Sequence, residues 1–110
     1  MNMGAAPGQH GADFEVLSPW ADADPVPLRG ISQRPETLAG AKIGLYSNRK
    51  RAAELTLNAV ERELLERFPT AQISRYECTT VNLPEMLSPG KAKFEAWVSG
   101  VDAVVLSVAD

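Results

Sequence analysis

Four polar residues in succession, Ser47, Asn48, Arg49 and Lys50, follow a short apolar run and precede an amphipathic one. If the first run is a strand and the second a helix, this turn gathers two cations at a helix amino terminus. First-turn N–H groups and nearby positive charge together favour an anion, a carboxylate or a phosphate. The same residues also serve as a helix cap followed by solvated charges, with Asn48 accepting from a first-turn N–H. A second group is Cys78-Thr79-Thr80. Cys78 is either a nucleophile or a small packed residue, and the two threonines either donate to a ligand or satisfy their own loop. Asp110 stands after the apolar strand Ala103 to Val108, where it could orient a catalytic group, cap a following helix or simply end the ordered chain. His10 is the single histidine and lies in a proline- and glycine-rich start, so neither a Ser-His or Cys-His pair nor a metal cluster can be assembled from this chain. The turn SNRKRAA lacks the glycines of a dinucleotide or phosphate loop.

The elements that must position these groups are legible from periodicity. Residues 1–40 hold five of the eight prolines and five of the eight glycines without a helical or alternating apolar period. They read as an extended arm, with 1–12 disordered and Phe14, Val16, Leu17, Trp20, Val26, Leu28 and Ile31 too apolar to be left in water, so this part is expected to lie on the domain or on a partner. Residues 41–110 read as βαβαβ. Strands are expected at Lys42 to Asn48, Ala71 to Cys78 and Ala103 to Val108. A helix is expected from about Arg49 to Phe68, with Ala53, Leu57, Val60, Leu64 and Phe68 as its apolar stripe, Glu63 and Arg67 paired outside, and Pro69 ending it. LPEML is a possible single turn, and a second helix, with Phe94, Trp97 and Val98 on one face, is expected from near Pro89 to Gly100.

Right-handed crossovers would turn this order into a three-layer α/β unit, the parallel half of a doubly wound, Rossmann-like sheet. The third strand is apolar on both faces, which predicts a central place for it and further strands beside it. The second, more polar, belongs nearer an edge. In such sheets ligands bind beyond the carboxyl ends of the strands.

Composition narrows the partners. The chain has 110 residues, 45% hydrophobic and 23% charged, with a net charge of -3, the profile of one ordinary globular domain and a poor match to a nucleic-acid backbone. No apolar run approaches the ~20 residues that span a bilayer, and no secretory signal opens the chain. With a single cysteine, and hence no internal disulfide, the expectation is a cytoplasmic protein without nucleic-acid or membrane partners.

Three runs in order, EVLSP, then RPETLAGAKIGLYSNRKRAAELTLNAVERELLERF, then VDAVVLSVAD, resemble the selenoprotein-like family named for its UGSC or CGSC (Sec/Cys-Gly-Ser-Cys) motif. The likeness runs from about residue 14 to residue 110. It implies a first strand ending in Asp-Asn-Gly-Lys, an amphipathic helix, and a last strand that leads directly into the Cys-Gly-Ser-Cys. Asn48 and Lys50 match the Asn and Lys of that turn, and Asp110 matches the Asp before the motif. Ser47 stands where the family has Asp, and Arg49 where it has Gly.

The resemblance implies thiol or selenol chemistry, with reductive, lyase and hydrolytic reactions all open and no cofactor specified. The expected protein is the small (alpha) subunit or amino-terminal part of a cysteine-dependent enzyme acting on a small anionic metabolite. Asn48, Lys50 and Thr80 would hold the substrate, and Asp110 would position a cysteine supplied by the following segment or by a second chain in a hetero-oligomer. Cleavage after Asp110 would give that chain an amino-terminal cysteine, whose amine and thiolate could act as base and nucleophile. The alternative is a non-catalytic assembly subunit that docks through its arm and third strand.

Overall fold

The computed structural model describes residues 13–20 and 23–108. The chain divides into two units, Met1–Ile31 and Ser32–Asp110. In the first, the described residues form no helix or strand, and Phe14, Leu17, Trp20 and Leu28 are exposed.

The second unit is built as β1 (Lys42–Ser47), α1 (Ala53–Arg67), β2 (Gln72–Glu77), a single 3₁₀ turn (Glu85–Leu87), α2 (Lys91–Ser99) and β3 (Ala103–Ser107). All pairing is parallel, in the order β2-β1-β3, with Ile43 opposite both Ile73 and Ala103. The most apolar strand is therefore not the middle one. β1 is central and β3 lies at an edge, with Val104 and Leu106 still 43% and 49% exposed. The hydrophobicity of β3 describes two faces that need cover, which strand position alone does not reveal.

Side chains alternate across the sheet, so β1 serves both faces. On one face Ile43 and Leu45 are buried with Leu57 of α1, joined by Val60, Leu64, Phe68, Ile73 and Val105. The stripe read from the sequence is the stripe that packs, and the Glu63–Arg67 pair lies outside it at 3.6 Å. On the other face Tyr46 and Tyr76 stack at 5.5 Å between ring centroids and meet Phe94 and Trp97 of α2 edge-on or tilted. The Trp97 indole N–H donates to Ser74 Oγ at 2.9 Å. Helices thus cover both faces of a three-stranded parallel sheet. No helix among the described residues is long and apolar enough to cross a membrane.

α1 begins at Ala53 and not at Arg49. Arg49 has φ 64°, a left-handed backbone that cannot continue a right-handed helix, and the chain passes through a turn before the first helical residue. At the other end the Phe68 N–H closes on the Leu64 carbonyl at 2.7 Å, and Pro69 prevents continuation.

Candidate functional site

The parallel register brings the carboxyl ends of all three strands level, Ser47 standing opposite both Glu77 and Ser107. Backbone bonds continue one residue further, from Cys78 N–H to the Ser47 carbonyl and from Asn48 N–H to the Ser107 carbonyl, both at 3.0 Å.

Asn48 does not cap α1, as its position before the helical stretch suggests. Its Oδ1 accepts from the N–H groups of Lys50 and Val108, each at 3.1 Å, and its Nδ2 donates to the Val108 carbonyl. The side chain thereby acts as one more rung between β1 and β3 while turning the chain toward Lys50. The residue at the amino boundary of α1 is Ala52, which offers no side-chain cap.

Arg49 holds the turn from the other side. Its Nε lies 3.1 Å from Glu77 Oε1 and its Nη1 donates to the Thr79 carbonyl at 3.3 Å, so one side chain ties the β1 turn to the loop after β2. Its left-handed backbone is the conformation that favours glycine, the residue that the family resemblance puts at this position. Arg49→Gly and Arg49→Ala lose the same contacts but differ in the strain they keep. The glycine variant is expected to be the more stable of the two by about 0.5–1 kcal/mol in urea unfolding. The reverse order would show that the turn does not hold φ near +60° in solution.

These turns enclose a cavity of about 440 Å³. β1 and its turn contribute Tyr46, Asn48 and Lys50, the β2 end contributes Cys78 and Thr80, and β3 contributes Leu106 with Val108 just beyond it. The loop from Val81 to Pro84 forms the remaining wall. Asn48, Lys50 and Thr80, separated by up to 32 positions in the sequence, therefore share one cavity. Asp110 and His10 lie outside the described residues.

Cys78 is buried, 4% exposed. Burial, then the charge of Glu85, pushes its thiol pKa up, against a smaller pull from Arg49. Tyr46 is pushed up to about 12, chiefly by burial and then by Cys78 and Glu85. Both groups are protonated at neutral pH, which favours the packed reading of Cys78 over the nucleophilic one.

Sequence reasoning missed the carboxylate at the centre of this region. Glu85, 5% exposed on the 3₁₀ turn, accepts from the Thr79 backbone N–H at 2.7 Å and from the Ser88 hydroxyl. Burial raises its pKa, but the Ser88 and Thr79 hydrogen bonds, with Tyr76 nearby, outweigh burial and leave it below the ordinary carboxylate value. The Tyr76 hydroxyl meets no partner at full hydrogen-bond geometry, yet its pKa is raised by burial and by the adjacent Glu85 charge. Gly90 makes room for the cluster, since a Cβ there would stand 2.1 Å from Thr79 Oγ1 and 2.5 Å from Glu85 Oε1. Glu85 thus pins Thr79, at one end of the loop that walls the cavity, and Ser88 beyond the other. In the sequence the only trace is a glutamate followed by serine at the third position and glycine at the fifth, a pattern without a period to reveal its burial.

The family model described as the UGSC family matches residues 15–110. Neither the curated proteins nor the solved structures give a match.

Proposed function

The chain belongs to the UGSC family, and from that membership and the cavity we propose that it is the small subunit or amino-terminal part of a cysteine-dependent enzyme acting on a small anionic metabolite. The observation that carries this reading is the meeting of Asn48, Lys50 and Thr80 around one cavity at the carboxyl ends of parallel strands. Asn48 frames the turn, Lys50 supplies positive charge, and Thr80 supplies a hydroxyl. The three strands are read as the first part of a doubly wound sheet, in which such a crevice is the usual ligand position. The reactive Cys-Gly-Ser-Cys comes from the segment adjoining β3 or from a partner chain. Asp110 positions its cysteine, and the whole works in the cytoplasm.

Cys78 is not the reactive thiol in this scheme. In the protein purified from the complete gene, limited iodoacetamide is expected to label the motif cysteine and to leave Cys78 unmodified until the chain unfolds. Cys78→Ala should retain activity. Rapid native labelling of Cys78, with loss of turnover in Cys78→Ala, would move the chemistry to β2 and refute the assignment.

One observation favours a second reading, an assembly subunit. The outer edge of β3 has no neighbour among the described strands, and exposed Val104 and Leu106 stand beside it. An open apolar edge invites another strand. Intact masses of all co-purifying chains, with amino-terminal sequencing, separate the two. A partner beginning with cysteine supports a two-chain enzyme processed after Asp110, and a single chain containing the motif supports the undivided form of the same enzyme. A stable partner without a reactive cysteine supports assembly.

A further inference from the structure

α2 leaves part of its own face of the sheet bare. The helix lies over β1 and β2, where Trp97 packs on Tyr46 and Tyr76 and reaches Ser74. On the opposite face β3 is covered, because Val105 packs into the α1 cluster. On the α2 face Val104 and Leu106, in register with Gly44 and Tyr46, stay half-exposed. They floor a groove of about 390 Å³ walled by Phe94, Trp97 and Val98 of α2 and by Met86 of the 3₁₀ turn. The Glu85 carboxylate in that wall is committed to Thr79 and Ser88, so what a partner meets there is apolar.

The two edges of the sheet differ in the same sense. β2 reads QISRYE and holds Arg75 in ion pairs with Glu54 and Glu61 of α1, whereas β3 reads AVVLS and carries no charge. Charged side chains guard an edge against strand addition, so the sheet is open to growth at β3. The crossovers then decide what covers Val104 and Leu106. In the order β2-β1-β3, α1 carries the chain across the sheet in one direction and α2 carries it in the other. Right-handed connections put two such helices on opposite faces, which is where they lie. A connection from β3 to a parallel strand at its open edge runs in the direction of α2. By the same rule it passes over the α2 face, directly above Val104 and Leu106.

We propose that an amphipathic helix, supplied by the polypeptide that continues the sheet beside β3, docks in this groove next to α2 and antiparallel to β3. The inference rests on the reading of the three strands as the first part of a larger sheet. β3 has five residues, a span of ~17 Å that about 11 helical residues cover. Apolar residues three and four apart on that helix meet Val98 and Met86 at the walls and Val104 and Leu106 on the floor. Being antiparallel to β3, the helix has its amino terminus at the carboxyl ends of the strands. Tyr46, Pro84 and Leu106 line both the groove and the candidate site's cavity there, so the docked helix adds a wall to that cavity.

The test uses the protein from the complete gene with every chain that co-purifies. The photocross-linker p-benzoylphenylalanine replaces Val104 or Leu106 in separate variants, and the linked peptides are located by mass spectrometry. Both variants are expected to link to one segment outside the described residues, the Leu106 links falling about four residues closer to its amino terminus than the Val104 links. Two strand residues span ~6.6 Å, which is about four residues along a helix and two along a strand. Where the bulky probe prevents folding at these positions, Val98 and Met86 at the walls carry it and should link to the same segment. Hydrogen exchange in the unsubstituted protein reports separately on the sheet. The Ala103 and Val105 amides point away from β1, because the Asp102 N–H donates to the Lys42 carbonyl and amides alternate along a strand. In a continued sheet they should exchange about a hundredfold or more slowly than at an open edge. Protected amides without links of helical spacing, or with links in the reverse order, overturn the helix and leave the larger sheet standing. Links to β3 of a second copy overturn it in favour of a homodimer. Unprotected amides and no links overturn both the helix and the larger sheet.

Discussion

Glu85→Ala is expected to lower unfolding stability in urea by about 3 kcal/mol, a large share of what a domain of this size has. The substitution deletes the charged acceptor of the Thr79 N–H, which is left unpaired, and one of the two acceptors of the Ser88 hydroxyl, whose bond to the Glu85 carbonyl at 2.9 Å remains. Hydrogen bonds to a charged acceptor are worth roughly 1.5–3 kcal/mol each, and orphaned donors add their own cost. Glu85→Gln keeps the shape and one acceptor oxygen and should lose about half as much.

The two variants also give the effect a pH signature. The folded carboxyl titrates below its ordinary value of 4.5 because the ionised form is the one that Ser88 and Thr79 hold, against the opposing effect of burial. A carboxyl whose folded pKa is depressed contributes stability that is fully present above its unfolded pKa and is lost as pH falls through the folded one. The gap between parent and Glu85→Gln should therefore be constant from about pH 7 to pH 5 and shrink as the pH falls below 4.5. Urea midpoints measured across that range check it. A gap that does not shrink at all as the carboxyl is protonated in acid would mean that Glu85 acts through its shape and not through its charge.

Gly44→Ala carries the second large effect. Gly44 lies in the central strand beneath Trp97, and a Cβ there would stand 2.6 Å from Trp97 Cζ2 and 2.8 Å from Cη2. The indole is a rigid end that also donates to Ser74, so it cannot move aside without breaking that bond and disturbing its contacts with Tyr46 and Tyr76. Overpacking of this kind costs about 1–3 kcal/mol, and the upper part of that range is expected here. The check is a double-mutant cycle. Trp97→Phe shortens the side chain, so the cost of Gly44→Ala should fall by about 1 kcal/mol or more in the Trp97→Phe background. Additive effects would show that the two residues are not in contact. Tyr46 lines the cavity from the same cluster, so Gly44→Ala should also weaken ligand binding there.

Much of the architecture was legible because helices and strands leave periodic traces. Ala53, Leu57, Val60, Leu64 and Phe68 announced which face of α1 packs, and the short apolar run from Lys42 to Asn48 announced a strand. The turn from Ser47 to Lys50 stood out by its residue types, but the structure commits Arg49 to Glu77 and Asn48 to Val108 and starts the helix only at Ala53. The family was legible from three short runs in a fixed order. What escaped the sequence depends on residues distant along the chain. The strand order put β1 and not the more apolar β3 in the centre, because order follows from which way each crossover turns and not from hydrophobicity. Asn48 proved to be a rung to Val108 and not a cap, since its partner lies 60 positions away. Glu85 could not be recognised as buried and ionised until the loop after β2 folded Thr79 and Ser88 around it. Sequence alone determined the elements and the family because those are written in local spacing, whereas the tertiary structure alone decided which polar groups meet, because three parallel strands ending level bring into one cavity residues that the chain keeps far apart.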